Sequence, residues 1–331
     1  MMEQEIITIG EALIDFIPQQ KGCALKDVDG FVRKAGGAPA NVAAAVAKLG
    51  APSSVITQVG MDAFGEHIIE TLKQVGVNTD KIFRTQEANT ALAFVSLAQD
   101  GNRSFSFYRK PCADLLLGED KLEARLFEAC NALHFCSVDL IESPMKQAHK
   151  KAIALAKDKG ALISFDPNVR LPLFDDPDEC RRAIHTFLPY ADLVKVADDE
   201  LKYIFGSKDE ERAKKAVFDA GAQMLLVTRG SAGAAVHTKA YMIETAAADV
   251  TAMDTTGAGD SFIGAFLYCL MRCGVTKDNI GHMAKEELRE VLEFSNYYAA
   301  YTTTNMGAIE AMATHAQIEA FIEKQRGSKK E

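Results

Sequence analysis

The sequence predicts an α/β protein: a mostly parallel central sheet with helices on both faces, and a small antiparallel second sheet standing off it. Three observations carry that expectation. Short apolar runs alternate with helix-period segments along most of the chain, which is the pattern of βαβ units. Two stretches, residues 13–31 and 91–108, hold strand patterns with no helix between them. The 331 residues are 48% hydrophobic and 25% charged, the balance of a globular chain long enough to bury a large core without staples.

In order along the chain, Ile6-Ile7-Thr8-Ile9 before Gly10 reads as a buried strand. An alanine-rich helix over 41–49 ends at Gly50. A strand over 54–59 and a helix over 66–75 follow. Strands over 91–97 and 104–108 flank Gln99-Asp100-Gly101-Asn102, a hairpin signal. A strand over 133–137 leads to a helix over 144–159. Strands over 161–166, 193–196 and 224–228 follow, then helices over 261–273 and 285–302. The basic tail, 324–330, reads as a frayed, solvated end. We expect one domain spanning 1–331, with a lid made of about 12–34 and 90–115 set over the carboxyl ends of the main strands.

Composition excludes several classes. There are 37 basic and 46 acidic residues, a net charge of −9, which argues against nucleic-acid or anionic-membrane binding. Seven cysteines at irregular spacing, with no C-x-x-C, read as free thiols in a reducing compartment. Cys269 and Cys273, four apart on a helix, read as core packing. Met1 to Glu5 has two acids and no basic residue, unlike a signal peptide. The longest apolar run, 262–271, is about half a membrane span. A cytoplasmic protein is expected.

The most informative segment is Asp254-Thr255-Thr256-Gly257-Ala258-Gly259-Asp260-Ser261-Phe262. A turn of small residues running into an apolar helix points backbone N–H groups and a helix N-terminus at one place, an anion hole. Asp260 at its mouth would repel an anion, but makes sense as a base that takes a proton from an attacking hydroxyl. The plain alternative is helix capping. Ala35-Gly36-Gly37-Ala38-Pro39-Ala40-Asn41 is a second glycine-rich turn. Its glycines permit close approach of a ligand, and Asn41 offers donor and acceptor; the alternative is a helix N-cap at Asn41. There is no P-loop, no G-x-G-x-x-G after the first strand and no H-R-D or D-F-G. P-loop enzymes, dinucleotide-dependent oxidoreductases and protein kinases are therefore disfavoured.

These two glycine segments resemble the two signatures of the ribokinase-like (PfkB-type) carbohydrate kinases. Gly10-Glu11-Ala12-Leu13-Ile14-Asp15-Phe16, Phe107-Tyr108-Arg109-Lys110-Pro111-Cys112-Ala113-Asp114, Phe165-Asp166-Pro167-Asn168-Val169-Arg170 and Gly307-Ala308-Ile309 look like fructokinases in particular. The resemblance implies a three-layer α/β/α sandwich of nine or so strands with a β-sheet lid, and ATP-dependent phosphorylation of D-fructose to fructose 6-phosphate. It implies Asp260 as base, with Gly257, Ala258 and Gly259 holding the phosphoryl group. Asp15, Gly36, Gly37, Asn41, Phe107, Arg109 and Arg170 are implied at the sugar. Asn168, Lys195, Thr228, Gly230, Gly233 and Asn296 are implied at ATP. Mg²⁺ is implied with Glu200 as an indirect partner, and a monovalent cation such as K⁺ at Asp254 and Thr256. A homodimer paired lid to lid is implied as well.

Two positions depart from the family pattern. Ala197 replaces the asparagine of N-x-x-E, with Glu200 retained, and Glu310 stands where proline is common. Two rival readings stay open. A 2-keto-3-deoxygluconate kinase is disfavoured by Phe107, an aromatic residue without the hydroxyl of that group's lid tyrosine. A catalytically inactive, kinase-like regulatory protein is disfavoured by the intact Gly257, Gly259 and Asp260.

Overall fold

The computed structural model describes residues 4–20, 22–97 and 103–328. The first half of the chain runs β1 (Glu5–Ile9), β2 (Leu13–Pro18), β3 (Phe31–Gly36), α1 (Ala38–Lys48), β4 (Ser53–Gly60), α2 (Ala63–Gln74), β5 (Ile82–Thr85), β6 (Ala91–Leu97), β7 (Arg103–Tyr108), β8 (Cys130–Cys136), α3 (Pro144–Asp158) and β9 (Leu162–Asp166). The second half runs α4 (Pro177–Phe187), β10 (Leu193–Ala197), α5 (Leu201–Phe205), α6 (Glu210–Asp219), β11 (Met224–Thr228), β12 (Ala234–His237), β13 (Met242–Thr245), α7 (Ala258–Arg272), α8 (Lys285–Thr303) and α9 (His315–Ser328).

Among the described residues, nine strands form the main sheet in the order β13-β12-β11-β10-β9-β8-β1-β4-β5. It is parallel from β11 to β5, and β12 and β13 add an antiparallel edge. Side chains on successive strand positions face opposite sides. Ile6 joins the core under α1, α7 and α8, while Ile7 and Ile9 join the core under α3, α4 and α5. The result is three layers. Chain order reverses between β1 and β8, so a crevice opens there at the strand carboxyl ends.

The second sheet has the order β3-β2-β6-β7. It is mixed rather than antiparallel: β2 pairs antiparallel with β3 but parallel with β6. The parallel pairing arises because β2 and β6 are joined by a long crossover through α1, β4, α2 and β5. The Gln99–Asn102 hairpin turn lies outside the described residues, though β6 and β7 pair antiparallel on either side of it.

Both helices next to the glycine segments start earlier than the sequence suggested. Helix α1 begins at Ala38, capped by Gly37 at φ 103°, and α7 begins at Ala258, capped by Gly257 at φ 72°. Glycine accepts these left-handed values without strain. Asn41 is therefore inside α1 and is not its N-cap. Small residues also set how closely α1 and α7 pack. A Cβ on Gly264 would lie 2.6 Å from Ala45 Cβ and 3.2 Å from Val42 O. That close crossing brings Asn41 of α1 against Asp260 of α7.

The tail is helical to Ser328, not frayed from Lys324; Lys329 and Lys330 lie outside the described residues. Cys269 is half-buried and packs against the core, while Cys273 is exposed at the end of α7 and is not a core residue; all seven cysteines are free. Among the described residues, no helix is long and apolar enough to cross a membrane.

Candidate active site

Two cavities open at the carboxyl edge of the main sheet. The first, of about 360 Å³, is lined by Glu11, Leu13, Asp15, Gly37, Ala38, Asn41, Phe107, Val138, Asn168, Arg170, Leu173, Lys195 and 255–260. The second, of about 680 Å³, is lined by Thr228, Gly230, Ser231, Gly233, Asn296, the irregular segment around Ala247–Val250 and one face of α8. Thr255, Ala258 and Gly259 line both. The first turn of α7 is thus a shared wall.

That wall is an electropositive point. The N–H groups at a helix start lack intrahelical acceptors, and the helix dipole adds partial positive charge. Lys195 reinforces it from β10: a Cβ on Gly259 would lie 3.0 Å from Lys195 Nζ. The ammonium donates to Asp166 Oδ2 at 2.7 Å, and both residues are buried. Burial acts to lower the Lys195 pKa. The Asp166 and Glu200 carboxylates outweigh it and hold the lysine charged above its usual range. Breaking such a buried pair by removing one partner costs about 3–5 kcal/mol, so the lysine is firmly placed.

Asp260 sits in the first turn of α7 and faces the smaller cavity. Asn41 Nδ2 donates to Asp260 Oδ2 at 2.8 Å. Burial pushes the Asp260 carboxyl upward, and Asp166 adds to this, against the lowering by Asn41, Lys195 and Arg170. A carboxylate raised above its ordinary range but fixed by one amide is suited to accept a proton.

Asp15 enters from β2, and Gly36 on the neighbouring strand makes room for it: a Cβ there would collide with Asp15 Oδ2. Gly36 itself does not line the cavity. Phe107 of β7 stands opposite Ala93 and closes the same side. Asn168 holds φ 45°, a rare value off glycine, and its N–H donates to Asp166 Oδ1 at 3.1 Å. Asn168, just after β9, and Lys195, within β10, both expected at the nucleotide, line the smaller cavity beside the shared wall. Thr228, Gly230, Gly233 and Asn296 are together in the larger cavity.

Three further expected residues line neither cavity. Arg109 does not reach over the cavity. It is 3% exposed, and its Nη2 bonds Asp114 Oδ2 and, at 2.5 Å, Asp139 Oδ1; two buried carboxylates hold it below the second sheet. Glu200 is behind the cavity wall. Its oxygens accept from Val169 N at 2.6 Å and Ala197 N at 2.9 Å, which pins the loop carrying Asn168 and Arg170. Asp254 is 2% exposed and accepts from Thr256 N at 2.8 Å and Gly307 N at 2.9 Å, joining the α7 turn to the loop after α8.

The sequence reading passed over Glu11, Asp166, Val138 and the 247–250 wall. Glu11 and Asp166 carried a usable signal, an acid at the end of a buried strand in a parallel sheet. The 247–250 segment has no periodicity to read. Among the described residues no cluster of three or more His, Cys, Asp or Glu could by itself hold a metal ion.

The chain matches the family model described as pfkB family carbohydrate kinase over residues 3–315. It is 40% identical over 318 residues to a protein of Arabidopsis thaliana named probable fructokinase-4, covering 96% of each chain. The crystal structure of a fructokinase with bound ATP from Xylella fastidiosa superposes with a TM-score of 0.89 at 32% identity, over 98% of this chain and 100% of that one. A fructokinase from Vibrio cholerae O395 in a fructose-, ADP- and calcium-bound form superposes with a TM-score of 0.85 at 30% identity, over 96% and 98%.

Proposed function

The chain belongs to the pfkB family of carbohydrate kinases, and from that premise we propose that it transfers the γ-phosphoryl group of ATP to a hydroxyl of D-fructose, giving ADP and fructose 6-phosphate. The observation that carries the reading is the shared wall. A polar cavity and a larger, more apolar one meet, among the described residues, at a helix start suited to an anion, with a carboxylate on the polar side. A sugar on one side and a nucleoside triphosphate on the other would bring a hydroxyl and a phosphoryl group together there.

In this mechanism Asp15 and Asn41 hold sugar hydroxyls, with Phe107 and Leu13 as apolar walls. Asp260 accepts the proton of the attacking hydroxyl. The sugar oxygen bonds to the γ-phosphorus as the bridging oxygen to the β-phosphate leaves. The N–H groups of 257–260, Lys195 and Arg170 stabilise the negative charge of the transferring group, where such donors act without reorganisation. Thr228, Gly230, Gly233 and Asn296 hold the nucleotide. Mg²⁺ neutralises ATP phosphates when bound to them. The donor set fits this: Mg²⁺ commonly takes few protein ligands, and the Glu200 oxygens are spent on backbone N–H groups, so Glu200 acts through the 168–170 loop. A monovalent cation such as K⁺ belongs beside Asp254 and Thr256, where a buried carboxylate already draws two segments together. The second sheet acts as the lid. ATP supply and seven free thiols fit a cytoplasmic enzyme.

The burial of Arg109 between two carboxylates weighs against a keto acid as substrate, since that guanidinium is not available to grip a second carboxylate. The test is a sugar panel with ATP, read by ADP release. Fructose is expected to exceed glucose, ribose and 2-keto-3-deoxygluconate by at least about tenfold in kcat/KM, the ratio that about 1.4 kcal/mol of differential binding gives. Preference for the keto acid overturns the assignment.

A further inference from the structure

The junction between the two sheets holds three carboxyl groups and one cation. Arg109, Asp114, Asp139 and Glu11 are each 3% exposed or less. The Arg109 guanidinium is bonded to Asp114 and Asp139 and not to Glu11. Glu11 Oε1 accepts from Ala38 N at 2.8 Å, at the start of α1. Glu11 Oε2, Asp139 Oδ2 and Asp114 Oδ1 are buried and have no hydrogen-bonding partner among the described residues, and neither have Arg109 Nε and Nη1. Asp139 Oδ2 lies against Gly10, the residue before Glu11. With every group ionised the cluster would carry one positive and three negative charges, a net of −2 buried beside a cavity that also holds Asp15 and Asp260.

We propose that Glu11 is a neutral carboxylic acid at physiological pH and a positioning residue for sugar binding, carrying the one proton that lets the junction between β1, β2 and α1 close. Its carbonyl oxygen takes the Ala38 N–H, and the proton on the other oxygen removes one of the two excess negative charges of the buried cluster. Three of the cavity's sugar-side residues hang on that junction: Asp15 at the entry of β2, Gly37, whose Cβ position lies 2.5 Å from Glu11 O, and Asn41 in the first turn of α1. Loss of the proton sets two carboxylates against each other beside an Arg109 already bonded to Asp114 and Asp139.

The groups facing Glu11 agree in direction. Burial raises its pKa to about 8 and Asp139 adds to this, opposed by Arg109 and the Ala38 N–H. Asp139 is raised less, to about 6, because Arg109 bonds it directly. Cys112 and Cys136, the other titratable groups nearby, are both pushed upward and stay neutral. Lys195, Arg170, Asp15 and Asp260 face it across the cavity.

The inference rests on the sugar-kinase reading for its consequence, but not for the proton itself, and the experiment separates the two. Fructose binding is measured by calorimetry in wild type and Glu11→Gln from about pH 6.5 to 9.5. Wild-type affinity is expected to fall above about pH 8, approaching tenfold per pH unit, with ATP binding unaffected. Glu11→Gln keeps an acceptor and a donor and is expected to lose that limb. The same limb in Glu11→Gln, or a flat wild type, overturns the proposal. Asp139→Asn is expected to shift the limb to lower pH, and an unmoved limb there also overturns it. The urea midpoint needs no sugar. The fold holds the Glu11 proton from the ordinary carboxylate range up to about pH 8 while the unfolded chain has lost it, so stability falls as pH rises through that window. The wild-type midpoint should decline relative to Glu11→Gln there, and parallel midpoints overturn the proton assignment. Absence of fructose binding at every pH, with the midpoint decline intact, instead counts against the sugar assignment alone.

Discussion

Asp260 could be proposed as a base from local sequence alone, an acid at the mouth of a glycine-lined helix start, with helix capping as the plain alternative. Its partner was not local. Asn41 lies 219 positions away in sequence, and the amide that bonds Asp260 exists only because α1 and α7 cross closely. Arg109 shows the same limit from the other side. Its neighbours in sequence are aromatic and basic, but burial by Asp139, 30 positions on, fixes its role. Changing Asp260 to Asn keeps shape and removes the proton acceptor. A positioned base contributes about 10²–10⁴-fold, so kcat should fall by that order while the fold and ATP binding persist; near-normal turnover would sink the mechanism. Asn41→Ala makes a second demand. The amide holds the Asp260 pKa down against burial, so without it the carboxylate protonates at higher pH. The acid limb of kcat should move upward, seen as a pH profile displaced toward neutrality.

At the scale of elements, apolar periodicity located β1, β4, β6 to β11, α1, α2, α3, α7 and α8 but left β5, β12, β13 and α9 unread, and the early starts of α1 and α7 have one cause. Left-handed glycines cap α1 and α7, where the reading sought Asn or Asp caps, so both helices start three residues early. The sheet off to the side was visible as strands without helices, but its pairing was not, because parallel β2–β6 contact joins segments far apart in sequence. Glu310, the departure from the family pattern, pairs with Lys34 of β3 at 3.2 Å, both partly exposed. Such a pair contributes about 0–1 kcal/mol, too little to fix the loop on its own. Asp254 has the larger effect, since from a buried position it bonds both the α7 turn and Gly307. Ala308 packs behind the turn as well, with its Cβ 2.8 Å from where one on Gly257 would sit. A cation bound there would order the anion-binding turn without touching substrate. We expect K⁺ to raise activity over Na⁺ or choline at fixed ionic strength, and the increment to shrink in Asp254→Asn. Equal rates in the three buffers would remove the cation from the account.

For the whole molecule, strand–helix alternation made the sandwich readable, and the crevice follows from where chain order reverses between β1 and β8. What the alternation leaves open is how the molecule manages the edges of its second sheet. β3 and β7 are edge strands there, and unpaired backbone groups along an edge invite another chain. The face opposite Asp15 and Phe107 carries an aromatic cluster, seated at one end on Phe64 of α2. Phe16, Phe31 and Phe94 pack ring against ring, and Tyr108, 65% exposed, closes one end of the cluster; Val32, 44% exposed, stands on the β3 edge. A second copy related by a two-fold axis would cover both edges and this face at once, because an isologous contact presents the same strip twice. The expectation is a homodimer joined through residues 13–31 and 91–107, measured by light scattering at micromolar concentration as twice the chain mass. Val32→Asp should shift the balance toward monomer and raise KM for fructose, since the same sheet carries Asp15 and Phe107 over the cavity. A particle of single-chain mass in the wild type would refute the pairing, and a monomeric variant with unchanged KM would show that the edges can be left open without loosening the sugar side of the site.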